Sequence, residues 1–128
     1  MEDREVIIPA NNTDGLPSIF RECNVFTIGN SSRPNMPDRQ FAGFFASVNT
    51  VIKMHKTIII ECRMQSFSTN TQQVLKRLFE ILSTSYHRCK PTVRWYYDII
   101  DEDMLEYGEM YAEWNPKICF ENIALPQS

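Results

Sequence analysis

The chain has 128 residues, 43% of them apolar, and a formal net charge of −3, which leaves room for one packed core and not two. That charge gives no electrostatic footprint for nucleic acid, which requires a basic face, and no apolar run approaches the roughly 18 residues of a membrane span. The opening Met1-Glu2-Asp3-Arg4-Glu5 is acidic with no apolar block behind it, so it does not read as a secretory leader and the expected compartment is the cytoplasm.

One domain is expected over 1–128, with an extended N-terminal region through residue 17 and a frayed tail over 124–128. Asn11-Asn12-Thr13-Asp14-Gly15-Leu16-Pro17 is a turn signal between two short extended pieces. Ile19–Arg21 and Asn24–Ile28 read as strands, closed by Gly29 and a loop through Asn30-Ser31-Ser32-Arg33-Pro34. Pro37 and Asp38 suit the first turn of a helix. Phe41, Phe44, Phe45, Val48, Val51 and Ile52 then recur at helical spacing, with Ala42, Gly43, Ser47 and Asn49 on the opposite face.

Thr57-Ile58-Ile59-Ile60 is a continuous apolar run rich in β-branched residues, the pattern of a strand covered on both faces, and it continues through Cys62 and Met64. A second helix begins near Thr69, with Val74, Leu75, Leu78, Ile81 and Leu82 on one side and Lys76, Arg77, Glu80, Ser83 and Thr84 on the other. Lys90-Pro91 leads into a strand over Thr92–Tyr97. A third helix from about Asp101 to Trp114 buries Met104, Leu105, Gly108, Tyr111 and Ala112, and Pro116 stops it. Ile118–Ile123 is the last strand. The alternation predicts an α/β fold in which a mixed, partly parallel sheet is flanked by about three helices, and right-handed crossovers place the loops before each helix on one edge.

Cys23, Cys62, Cys89 and Cys119 are widely spaced, with no Cys-x-x-Cys pair to build a zinc site, and read as reduced, mostly buried thiols. The chain has two histidines, His55 and His87. His87-x-Cys89 is the nearest approach to a nucleophile and base, but it sits in a polar turn ahead of Pro91, and sequence neighbours seldom form a dyad. No cofactor, no catalytic residue and no metal ligand set is expected.

From Met64 to Lys76 the chain turns from strand to helix, and Ser66, Ser68, Thr69 and Thr71 crowd the turn. Thr69-Asn70-Thr71-Gln72 fits a capping box, with Asn70 and Gln73 as a second candidate pair at the same offset. Two accounts of these hydroxyls stand side by side. They satisfy the free N–H groups of a helix start, or one of them is phosphorylated, adding about −1.5 to −2 charges where the helix dipole accommodates an anion.

Asp98, Asp101, Glu102, Asp103, Glu106 and Glu109 gather around the start of the third helix. A solvated helix start explains them, as do a docking face for a basic partner and a magnesium site without distinctive spacing. Gly108 in mid-helix costs about 1 kcal/mol against Ala and makes sense where the backbone packs tightly.

Val93-Arg94-Trp95-Tyr96-Tyr97-Asp98, then Asp101-Glu102-Asp103-Met104-Leu105-Glu106-Tyr107-Gly108-Glu109 and the closing Ile118-Cys119-Phe120-Glu121, resemble the C-terminal signature of the SiaC-like regulatory phosphoproteins. Phe67-Ser68-Thr69-Asn70-Thr71 aligns with that family's aromatic-or-Leu, Asn-Thr-Ser-Ser segment, with Ser68, Asn70 and Thr71 departing from it and Thr69 retained. Ile28-Gly29-Asn30-Ser31 and Phe44-Phe45 fall at its Gly-x-Ser turn and first-helix aromatics. Ser32-Arg33-Pro34-Asn35 replaces its Tyr-Pro-Glu.

The resemblance implies a fold like that of the anti-sigma-factor antagonists (STAS-like). It also implies a non-catalytic adaptor in a partner-switching circuit. A Ser/Thr kinase of the histidine-kinase-like ATPase type would phosphorylate Thr69, with Thr71 and Ser68 as alternatives, and a PP2C-type phosphatase would reverse it. In the characterised branch the unphosphorylated protein binds and activates a diguanylate cyclase. The expected interface is the edge with Phe67, Ser68, Asn70, Gln72 and Gln73, beside Lys76 and Arg77, joined by Asp101, Glu102 and Asp103 where the crossovers bring them to the same edge. A constitutive binding module without a switch and a metal-dependent enzyme are the alternatives.

Overall fold

The computed structural model describes residues 4–8, 18–29, 42–64 and 69–126. The elements run β1 (Arg4–Ile8), β2 (Ser18–Glu22), β3 (Val25–Gly29), α1 (Ala42–Met54), β4 (Thr57–Arg63), α2 (Thr69–Thr84), β5 (Lys90–Asp98), α3 (Glu102–Trp114) and β6 (Cys119–Leu125). All six strands form one sheet in chain order, β1-β2-β3-β4-β5-β6. β1 and β2 pair antiparallel, as do β2 and β3, while β3, β4, β5 and β6 pair parallel. The sheet is mixed, as the alternation predicts. The expected turn over 11–17, the loop over 30–34 and the helix start at Pro37, Asp38 and Phe41 lie outside the described residues. β1 turns part of the expected N-terminal extension into an edge strand, and β6 runs through Leu125.

Three helices pack on a single face. Phe26, Ile60, Val93 and Phe120 occupy one register row across β3 to β6 and therefore point to the same side. On that side Phe26 meets Phe44 of α1 edge-on at 5.7 Å, and Phe120 meets Phe79 of α2 at 5.3 Å. Trp95, two residues beyond Val93, meets Tyr111 of α3 at 5.6 Å. Phe26, Phe44, Phe79 and Trp95 are fully buried and form the centre of the core.

This layering corrects the expectation for β4. Ile58, Ile60 and Cys62 are buried under the helices, but Ile59 and Glu61 on the other face are only half-buried. The apolar run misleads because Ile59 is apolar on the open side. Across that open face runs the row Val6, Phe20, Thr27, Glu61, Arg94 and Glu121. Arg94 donates from Nη1 to Glu61 and from Nε to Glu121, each at 3.2 Å, and Arg63 stacks on Tyr96 at 3.8 Å.

α3 is seated by one close approach. The Trp95 indole N–H donates to the Met104 carbonyl at 2.7 Å, and the helix backbone lies so near the ring that a Cβ on Gly108 would stand 2.6 Å from Trp95 Cδ1 and also against Asn122. The mid-helix glycine is thus required by packing, as its propensity cost suggests. Gly108→Ala therefore destabilises the fold by about 1–3 kcal/mol despite alanine's better helix propensity, a loss read from the midpoint of urea unfolding. An unchanged midpoint would contradict this seating.

The thiols divide evenly rather than being mostly buried. Cys62 and Cys89 are buried, whereas Cys23 and Cys119 are exposed. Burial disfavours the thiolate and pushes the Cys62 thiol up to about 12. Titration of the folded protein with Ellman's reagent near pH 8 should release color for Cys23 and Cys119 only, with Cys62 and Cys89 reacting after denaturation.

Candidate functional site

Parallel pairing from β3 to β6 puts the ends of β4 and β5, and with them the starts of α2 and α3, on one edge of the sheet. The two helices run side by side in the same direction. Phe79 of α2 meets Tyr111 of α3 at 5.1 Å, and one turn later Ser83 donates to Asn115 at 3.4 Å. Phe79 lies ten residues into α2 from Thr69, and Tyr111 lies nine into α3 from Glu102. The two starts are thus level. The expected gathering of the acidic start of α3 with the hydroxyl-rich start of α2 is met by the backbone.

The two starts differ in charge. Asp101 is the N-cap of α3 and accepts from the Met104 N–H at 3.1 Å, and Glu102 and Asp103 follow in its first turn. Asp98 accepts from the Ile100 N–H at 3.4 Å. The first turn of α2, in contrast, holds no acidic residue. Thr69 is itself the first helical residue, so the expected cap position becomes the first residue of the helix. Asn70 follows it. Thr71 is only 2% exposed, Gln72 is half-buried, and Gln73, Lys76 and Arg77 are exposed. Phe67 and Ser68 lie outside the described residues, as does Ser66.

Arg77 stacks over the half-buried Phe45 ring of α1 at 4.9 Å, above a depression of about 200 Å³ lined by Phe45, Gln73, Val74 and Arg77. Beside α3, two shallow depressions share the acidic rim, one lined by Asp98, Ile100, Asp101, Glu102 and Asp103, the other by Asp103, Glu106, Tyr107 and Met110. The edge is therefore basic along α2 and acidic along α3.

Sequence reasoning passed over Ile99 and Ile100. They are 58% and 64% exposed at the tip between β5 and α3. Their signal was present in the chain, as two β-branched apolar residues between Asp98 and Asp101, where turns favour Gly, Asn, Asp or Ser. The pairing of His87 with Cys89 gains nothing from the structure. Cys89 is 1% exposed with its thiol pKa raised by burial, whereas His87 is exposed. Among the described residues no group of three His, Cys, Asp or Glu side chains is placed to hold a metal ion, and no helix is long and apolar enough to cross a membrane.

The architecture recurs in solved structures. A chain of the crystal structure of the diguanylate cyclase SiaD in complex with its activator SiaC from Pseudomonas aeruginosa superposes with a TM-score of 0.78 at 18% identity, covering 89% of this chain and 96% of that one. Apo-SiaC from Pseudomonas aeruginosa gives 0.76 at 16% identity, covering 91% and 98%. A further structure of SiaC of Pseudomonas aeruginosa gives 0.72 at 16% identity, covering 94% and 96%. No curated protein matches the chain by sequence. Residues 11–125 match the family described as SiaC family regulatory phosphoprotein, so the chain belongs to that family of non-catalytic regulators.

Proposed function

We propose that this chain is a phospho-switch adaptor in a partner-switching pathway, with Thr69 the switched residue. The observation that carries the reading is the contrast between two level helix starts. α3 already holds Asp101, Glu102 and Asp103, whereas α2 opens with Thr69 and no acidic side chain in its first turn. A phosphate on Thr69 would bring about −1.5 to −2 charges to a helix N-terminus, where the helix dipole favours an anion. Thr71 is a poorer acceptor because it is buried, and reaching it would require opening the helix.

A kinase of the histidine-kinase-like ATPase type adds the phosphate and a PP2C-type phosphatase removes it. The unphosphorylated form binds a downstream effector through Gln72, Gln73, Lys76 and Arg77 of α2, together with Asp101, Glu102 and Asp103 of α3. Phe67, Ser68 and Asn70 complete that edge in sequence. A diguanylate cyclase is the effector of choice, because the SiaC of the Pseudomonas complex is described as the activator of one. A phosphate on Thr69 works against docking by placing a hydrated dianion on the face the partner must dry. The departures at Ser68, Asn70 and Thr71 favour a second reading, a constitutive binding module that has lost the switch.

Phosphosite mapping on protein isolated from its own host separates the two. Trypsin releases Met64–Lys76 as one peptide, and its fragments distinguish Ser68, Thr69 and Thr71. The switch reading expects phosphate on Thr69, no incorporation in Thr69→Ala, and weakened effector binding in Thr69→Glu. A well-covered peptide that stays unmodified in growth and starvation moves the assignment to the static module.

A further inference from the structure

The tip between β5 and α3 displays apolar surface where a turn ordinarily displays polar side chains. Asp98, Ile99, Ile100 and Asp101 form a tight turn closed by the Asp101 N–H donating to the Asp98 carbonyl at 2.8 Å. The turn is stapled further by the Ile99 N–H to the Leu125 carbonyl at 3.0 Å and by the Asp98 carboxylate on the Ile100 N–H. None of these bonds involves an isoleucine side chain. Both side chains stand more than half exposed. On α3 the partly buried Tyr107 and Met110 line a depression rimmed by Asp103 and Glu106, and Asp103 also lines the depression at Ile100.

The charge around this apolar surface identifies what covers it. Between Arg94 and Lys117 the chain carries Asp98, Asp101, Glu102, Asp103, Glu106, Glu109 and Glu113, and no lysine or arginine. An isologous contact with a second copy would set these carboxylates against themselves. An anionic lipid surface is repelled for the same reason. What remains complementary is a protein segment with apolar residues along one stripe and lysine or arginine on either side.

We propose that Ile99 and Ile100, with Tyr107 and Met110 behind them, form an anchor site for a basic amphipathic helix of the partner protein. This deepens the docking-edge reading above and rests on it for the choice of edge, but not on Thr69 being phosphorylated. Ile99 and Ile100 insert between the partner's apolar side chains, and the carboxylates of α3 meet its flanking cations. Hydrophobic contact supplies the affinity, while the charges set on-rate and register.

The full-length unphosphorylated chain tests this with a synthetic helical peptide carrying leucine at i, i+3 and i+4 spacing and lysine elsewhere. Amide shifts on isotopically labelled protein should change at 98–110 on titration. The variant Ile99→Ser/Ile100→Ser should bind about tenfold or more weakly with unaltered circular dichroism and melting temperature. Glu102→Gln/Glu106→Gln should reduce the salt dependence of binding while leaving the shift pattern in place. Wild-type affinity in the isoleucine variant, equal binding of a serine–lysine peptide, or equal binding of a leucine–glutamate peptide would each overturn the proposal. Because no kinase takes part, that failure would leave the Thr69 assignment standing, and an unmodified Thr69 would leave the anchor standing.

Discussion

The contact between Trp95 and α3 fixes much of what lies above it. An indole fully buried in the middle of β5 needs both a neighbour thin enough to lie against its ring and an acceptor for its N–H. Gly108 supplies the first and the Met104 carbonyl the second. Together they fix the height and rotation of α3 on the sheet. Tyr111, one turn beyond Gly108, is then directed at both Trp95 and Phe79, which ties the position of α3 to that of α2. The level alignment of the two helix starts follows from aromatic packing well below them.

A second constraint is the order of the strands. Because β3 to β6 are parallel and sequential, each crossover steps the same way and deposits its helix on the same face. The sheet has no point where strand order reverses, so the crevice that many α/β proteins use for small ligands is missing from these strands. What the topology offers instead is a flat edge of helix starts and tips. Such an edge suits contact with another protein better than enclosure of a small molecule.

Much of this was legible in the chain, and the misreadings have physical causes. The order of elements followed from periodicity, and Gly108 gave away a close helix approach because nothing else justifies its propensity cost. β4 was read as covered on both sides because Ile58, Ile59 and Ile60 are all apolar, and only Glu61, two residues after Ile59, marks that side as open. Its partner Arg94 sits one strand over and 33 residues along, a separation that local pattern does not reveal. Thr71 stood behind Thr69 as an alternative among the hydroxyls. Thr71 is turned into the core, a placement that depends on where the helix begins. Ile99 and Ile100 escaped notice because exposed apolar residues carry no periodic signal.

The electrostatics of the edge bear on how the proposed switch would act on the proposed docking surface. The Debye length is about 8 Å at physiological ionic strength, no more than the usual spacing of about 8–10 Å between packed helices. Charge added at Thr69 therefore acts on a partner seated over α3 weakly through solvent and strongly only through what it touches. A phosphate there extends an acidic field that is already present, so long-range attraction for a basic segment would rise slightly. Loss of binding must then come from the local term, the bulk and hydration of the phosphate on the part of the edge contributed by Gln72, Gln73, Lys76 and Arg77. The switch would act by obstructing the α2 half of the interface while the α3 half keeps its shape and charge. Regulation by release of one half of a bipartite surface requires that neither half bind tightly alone.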